Sequence, residues 1–140
     1  MILQATLEEA RQLGDILQDW IEATPWMPKL HTRAETHDFL GHLAASCAVY
    51  IAGRPPTGFL VLDGHDVRCL YLAEAARGQG LGKRLLGHAK AERDQLELWT
   101  FQANDGARRF YAREGFIEVE WTDGAGNEEK LPDVRLTWQR

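Results

Sequence analysis

The stretch that decides the fold is LYLAEAARGQGLGKRLLGHAK, residues 70–90. Within it Gly78, Gly80 and Gly82 alternate between Arg77 and Lys83, at the point where an apolar run ends and a helical pattern begins. Glycine has no Cβ, so main-chain N–H groups in such a run can converge on a ligand that side chains would hold away. A helix starting at the same point adds its unpaired first amides and the positive end of its dipole. Together these features predict a seat for phosphate. An ordinary flexible turn rarely needs three alternating glycines between two cations. Two familiar phosphate loops fail on spacing. The Walker pattern needs a glycine where Arg77 stands and a Ser or Thr where Arg84 stands. The dinucleotide fingerprint needs its third glycine where Lys83 or Leu85 stands.

Upstream of the loop the pattern is β-type: CAVYIA, TGFLVLD and DVRCLYLA, separated by GRPP and GH, read as a three-strand antiparallel meander over residues 47–73. Further back, residues 2–5 form a first short strand. Thr6 and Glu9 have capping-box spacing before a helix that runs to about Ile21, and Thr32 and Glu35 repeat that spacing before a second helix over about 33–45. The loop between these helices carries Trp26, Met27 and His31, either lining an acceptor pocket or packing under the sheet. Downstream, the glycine loop opens a helix from Leu81 to about Gln95, with Leu81, Leu85, Leu86 and Ala89 on its buried side. The strand LELWTF follows, then a short helix capped by Asn104 and closed by Gly115 and Phe116. FIEVEWT and VRLTWQ make two last strands, joined by the polar DGAGNEEKLPD, which reads as a solvated hairpin loop. The expected order is βααβββαβαββ: an α+β fold, with a mixed twisted sheet of about seven strands and four helices, in one domain spanning 1–140.

Composition narrows the function. A formal charge of −5, and no alternation of aromatic and basic residues along a strand face, argue against a nucleic-acid binder. The basic residues are clustered, however. Arg77, Lys83 and Arg84 lie at the glycine loop, and Arg108, Arg109 and Arg113 form a second group. Local basic clusters on an acidic chain suit a small polyphosphate ligand. No apolar run approaches the roughly 20 residues of a membrane span, and MILQATLEEA lacks the basic start of a signal peptide, so no membrane partner and a cytoplasmic location are expected. Cys47 and Cys69 form no paired spacing and read as buried thiols. His37 and His42, five apart, do not share a helical face, so no metal is expected.

The order of elements and two motifs resemble the GNAT superfamily of acyl-CoA-dependent N-acyltransferases over nearly the whole chain. The family's loop pattern, Arg or Gln followed by Gly-x-Gly or Gly-x-Ala after two residues, is met by Arg77, Gly80 and Gly82. Its second motif is met by Asn104, Phe110, Tyr111, Gly115 and Phe116. One departure is Glu74, where relatives often carry proline. The resemblance implies that the strand before the loop splays from its parallel neighbour. Leu70 and Leu72 would then offer main-chain groups to pantetheine, while Arg77, Gly78, Gln79, Gly80, Leu81, Gly82 and Lys83 hold the pyrophosphate and Asn104 contributes beside them. It implies acetyl-CoA as acyl donor and a primary amine of a small molecule, peptide or protein as acceptor, in a monomer or homodimer. A non-catalytic CoA-binding sensor of the same fold is the alternative.

The chemistry makes independent sense of one residue. A phenol is protonated at neutral pH and can donate to a leaving thiolate. Tyr111 is therefore the candidate acid, against a packing role beside Phe110. A main-chain N–H near Leu72 would meet the oxyanion, as the resemblance implies. For the base, Glu22, His31 and Glu97 stay open.

Overall fold

The computed structural model describes all 140 residues. Its strands are β1 (Ile2–Gln4), β2 (Ala48–Ala52), β3 (Gly58–Asp63), β4 (Asp66–Leu72), β5 (Gln95–Phe101), β6 (Ile117–Thr122) and β7 (Asp133–Gln139). The helices are α1 (Ala10–Ala23), α2 (Arg33–Ser46), α3 (Leu81–Glu92) and α4 (Asp105–Arg113). The expected order of elements is met throughout. One seven-stranded sheet runs β1-β2-β3-β4-β5-β7-β6, and every pairing is antiparallel except β4 with β5.

Local sequence explains the helix starts. The Glu9 carboxylate accepts the Thr6 N–H at 2.9 Å, so the first capping box forms, but its first turn is a 3-10 turn over Leu7–Glu9 and α1 proper begins at Ala10. Thr32 and Glu35 form the second box around the start of α2. Lys29 ends α1 from outside, its ammonium donating to the carbonyls of Ile21, Thr24 and Met27. Helix α3 stops at Glu92, earlier than its pattern suggested, because Arg93 is extended and Gln95 already pairs with Gln139 on β7.

Each face of the sheet has its own core. Leu13, Leu17, Leu40 and Leu43 of α1 and α2 pack on Val49, Ile51, Phe59 and Val61. On the other face, Leu85, Leu86 and Ala89 of α3 meet Leu60, Leu62, Leu96, Leu98, Val134 and Leu136, with Tyr111 and Phe116 from the α4 region. Leu85 and Leu86 are wholly buried, a contribution of about 2 kcal/mol apiece, and they hold the start of α3 against both halves of the sheet.

The two halves meet in a wedge. Parallel β4 and β5 share a single registered pair, Asp66 with Glu97, after which they diverge. Just past that pair the β3–β4 register slips between Val61 and Leu62, which face Cys69 and Val67 and leave Arg68 as the extra residue. Ala73 N–H then donates to Thr57 C=O at 2.8 Å on the β3 side. By strand alternation the N–H groups of Leu72 and Leu70 point the other way, into the wedge.

Candidate active site

The glycine loop closes one end of the wedge. Gly78 and Gly80 have φ of +75° and +78°, a left-handed conformation that disfavours any residue with a Cβ. Gly80 is the N-cap of α3. The six successive amides of Gly78, Gln79, Gly80, Leu81, Gly82 and Lys83 donate to no group in the protein, and the first helical bond runs from Arg84 N–H to Gly80 C=O at 3.1 Å. The loop therefore presents a row of free donors at a helix N-terminus, the arrangement that binds phosphate. Gly82 has a further constraint, since a Cβ there would come to 3.4 Å from the Phe110 ring of α4.

A cleft of about 370 Å³ runs from this loop into the wedge. Of the residues expected at the site, Leu70, Leu72, Arg77, Gly78, Gly82, Asn104 and Tyr111 line it together. Gln79, Gly80, Leu81 and Lys83 continue the loop at its rim. Two side chains act differently from a simple phosphate clamp. The Arg77 guanidinium turns back and donates to Leu72 C=O at 3.2 and 3.3 Å, tying the loop to the strand, and Gln79 donates to Ala75 C=O at 3.1 Å. Asn104 Oδ1 accepts the Ala107 N–H at 3.1 Å, so its oxygen caps α4 while its amide nitrogen stays open to the cleft.

Tyr111 stands on the opposite wall. Its ring packs edge-on to Phe110 and Phe116 at 5.2 and 5.5 Å between centroids, so the packing role is fulfilled as well. The hydroxyl has no partner in the protein, yet no fully buried side-chain N or O lacks one, so the hydroxyl opens onto the cleft. Burial pushes its pKa above the usual phenol value, which keeps the proton in place at neutral pH.

A second phenol was not anticipated. Tyr71 sits between Leu70 and Leu72 on β4 and faces the α1–α2 side, 5.2 Å from the Trp20 ring. Both residues line the cleft. Tyr71 is also raised in pKa, first by burial, then by Cys69, Tyr111 and Glu129. The alternation of side chains along β4 was the available signal. Trp26 contacts Trp20 and Phe101, each at 5.8 Å, and Met27 is buried, while none of Trp26, Met27 and His31 lines the cleft.

Beyond Phe101 a second cavity of about 500 Å³ opens between the end of β5 and the β6–β7 connection. That connection is exposed over much of its length, as its composition suggested, but it is also folded by its own hydrogen bonds. Gly124 is buried, Asn127 donates to Leu131 C=O at 2.8 Å and to Asp133 Oδ2 at 3.2 Å, and His31 meets Glu128 at 2.5 Å. The candidates for a base fare poorly. Glu97 lies at the closed end of the wedge and pairs with Arg135 at 3.5 Å. Glu22 is held by Gln18 and Arg33, and His31 is occupied by Glu128. None of the three lines either cavity.

Known proteins share this architecture. The chain is 26% identical over 136 residues to a peptidyl-lysine N-acetyltransferase, YiaC of Escherichia coli K12, covering 91% of this chain and 90% of that one. The apo-form solution structure of YjaB from Escherichia coli superposes with a TM-score of 0.80 at 23% identity, covering 99% of this chain and 96% of that one. A Salmonella typhimurium structure, yncA, described as a putative acetyltransferase with its cofactor acetyl-CoA, gives a TM-score of 0.74 at 17% identity over 99% of this chain and 92% of that one. The acetyltransferase (GNAT) domain family matches residues 38–118, more than half of the chain, which includes the wedge, the glycine loop and α4. On that match the chain belongs to the GNAT acetyltransferases and is an acyl-CoA-dependent N-acetyltransferase.

Proposed function

We propose that the protein transfers an acetyl group from acetyl-CoA to the side-chain amine of a lysine in a peptide or protein, the chain acting as one domain. The observation that carries the donor half is the row of six free amides at the start of α3, continuous with the free N–H groups of Leu70 and Leu72. A pyrophosphate fits the first set and an extended amide-containing arm fits the second. The acceptor half draws support from the relatives named as peptidyl-lysine N-acetyltransferases.

The chain's own groups divide the work as follows. Acetyl-CoA supplies an acyl carbon activated as a thioester. The Leu72 N–H, aimed into the wedge, would donate to the carbonyl oxygen as it gains negative charge. The Tyr111 hydroxyl would give its proton to the sulfur as the C–S bond breaks, and the phenol would be restored by the proton that the neutral amine nitrogen loses when the amide forms. Burial keeps Tyr111 protonated until the transfer and favours the return of its proton afterwards, because it disfavours a standing phenolate.

The test is to incubate the purified protein with acetyl-CoA and a lysine-containing peptide, following thiol release and locating the acetyl group by mass spectrometry. Acetylation on the lysine side chain is expected. Thiol release with the lysine unmodified would refute the acceptor assignment while leaving the donor half standing.

A further inference from the structure

The second cavity is lined by two carboxylates, neither paired with a cation, and one of them has no partner at all. Asp133 accepts from the Thr122 hydroxyl and from Asn127, and Glu128 is engaged by His31. Glu129 lines the cavity, is half-buried, and makes neither a hydrogen bond nor an ion pair. The neighbouring Lys130 turns away to donate to Ala125 C=O at 2.8 Å, so it does not neutralise Glu129. The walls opposite are aromatic: Trp99, which is 46% exposed, and Phe101.

A chain of aromatic contacts lies between this cavity and the cofactor cleft. Phe101 lines one, Trp20 and Tyr71 line the other, and Trp26 touches both Phe101 and Trp20. The charge of Glu129 also reaches the Tyr71 hydroxyl, where it is one of the lesser causes of the raised pKa. A half-buried, unpaired carboxylate loses hydration without compensation, which a cation would restore. Aromatic faces accept the methylene stem of a long cationic side chain and attract its charged end.

We infer that Glu129 is the acceptor-recognising residue: its carboxylate receives the ammonium of the incoming lysine while Trp99 and Phe101 flank the stem. This rests on the lysine assignment above. The connection between β6 and β7 would then select for positive charge on the acceptor, and the ammonium's first proton would leave past that negative site before attack, the second going to Tyr111 as above.

The experiment compares two peptides that differ only in lysine against norleucine, which keeps the stem and removes the charge. Binding is measured by calorimetry in the presence of CoA, and turnover of the lysine peptide is measured with acetyl-CoA. The parent should bind the lysine peptide on the order of 10- to 100-fold more tightly. Glu129→Gln should shrink that preference to about threefold or less and raise the KM for the lysine peptide by a similar factor, with the KM for acetyl-CoA unchanged. Glu129→Asp should recover part of the preference. Since Glu129 has no partner in the protein, thermal unfolding of both variants should match the parent. If the parent acetylates the lysine peptide and Glu129→Gln retains the parent's lysine preference and KM, the role of Glu129 is overturned and the lysine assignment stands. If the parent leaves the lysine peptide unmodified, both fall.

Discussion

Gly80 separates the two jobs of the loop, holding a left-handed turn and leaving space for an anion. In Gly80→Ala the new Cβ meets nothing within 4 Å, so the only stability cost is the backbone conformation at φ +78°. That strain is about 1–2 kcal/mol, less a few tenths for the stiffer unfolded chain, for a net of about 1 kcal/mol. With an unfolding entropy of about 0.3 kcal/mol/K for a chain of this length, the melting temperature should fall by about 3–4 °C. Gly80→Glu carries the same strain and adds a carboxylate. Placed about 7 Å from two phosphate charges, at an effective dielectric of about 20 and with screening at physiological salt, it opposes binding by about 2 kcal/mol. The dissociation constant for CoA should therefore rise about 30-fold in Gly80→Glu, and added salt should relieve part of the loss. Calorimetric titration of CoA alongside thermal melts distinguishes the effects, since the two variants should melt together and bind differently. A folded Gly80→Glu protein with the parent's affinity for CoA would refute the phosphate seat.

Other perturbations bear on the chemistry and on the scaffold. Tyr111→Phe keeps the ring contacts with Phe110 and Phe116 but removes the proton, so CoA affinity should hold while kcat and kcat/KM fall together by about 10²-fold or more in steady-state assays. An unchanged kcat with chemistry rate-limiting would leave Tyr111 as a packing residue. Glu118 receives two bonds of 2.8 Å from Arg108, which hold its carboxyl below the usual carboxylate range. A depressed pKa stabilises above the unfolded value and is lost as pH falls through the folded one, so Glu118→Gln should cost about 1 kcal/mol at pH 7. Melting curves of parent and Glu118→Gln should converge as pH falls well below the ordinary carboxylate range, and a gap persisting there would show that the cost is packing rather than charge.

Much of this fold was legible because its boundaries are marked by local chemistry. The Thr6/Glu9 and Thr32/Glu35 boxes, the Asn104 cap and the positive-φ turn at Gly115 each act within a few residues, and each forms where the spacing put it. The glycine loop was legible for the same reason. What escaped depends on residues far apart in the chain. Glu97 looked available until its register opposite Asp66 put it at the closed end of the wedge, and no local pattern encodes the register of a parallel pair. The segment DGAGNEEKLPD is as solvated as its polarity suggests, but its composition does not show that Asn127 spends its side chain on Leu131 and Asp133 and folds the segment into one wall of a cavity. Glu129 gains its setting only when β7 returns beside β5. Tyr71 is the one omission that alternation along a single strand would have found.

The lone Asp66–Glu97 rung between β4 and β5 means that the sheet is a ladder with its upper rungs missing. A donor lying between the strands would serve as a surrogate strand and splice two half-sheets that are otherwise joined by the α3 core beneath them. Ligand binding should then be felt as rigidity as well as occupancy. At about 100 times its dissociation constant such a ligand adds about 2.7 kcal/mol, or about 9 °C in the melting temperature by the entropy used above. Protection from amide hydrogen exchange should appear at alternate positions, slowing at Leu70 and Leu72 while Tyr71, which faces Phe59 on β3, keeps the rate it already has.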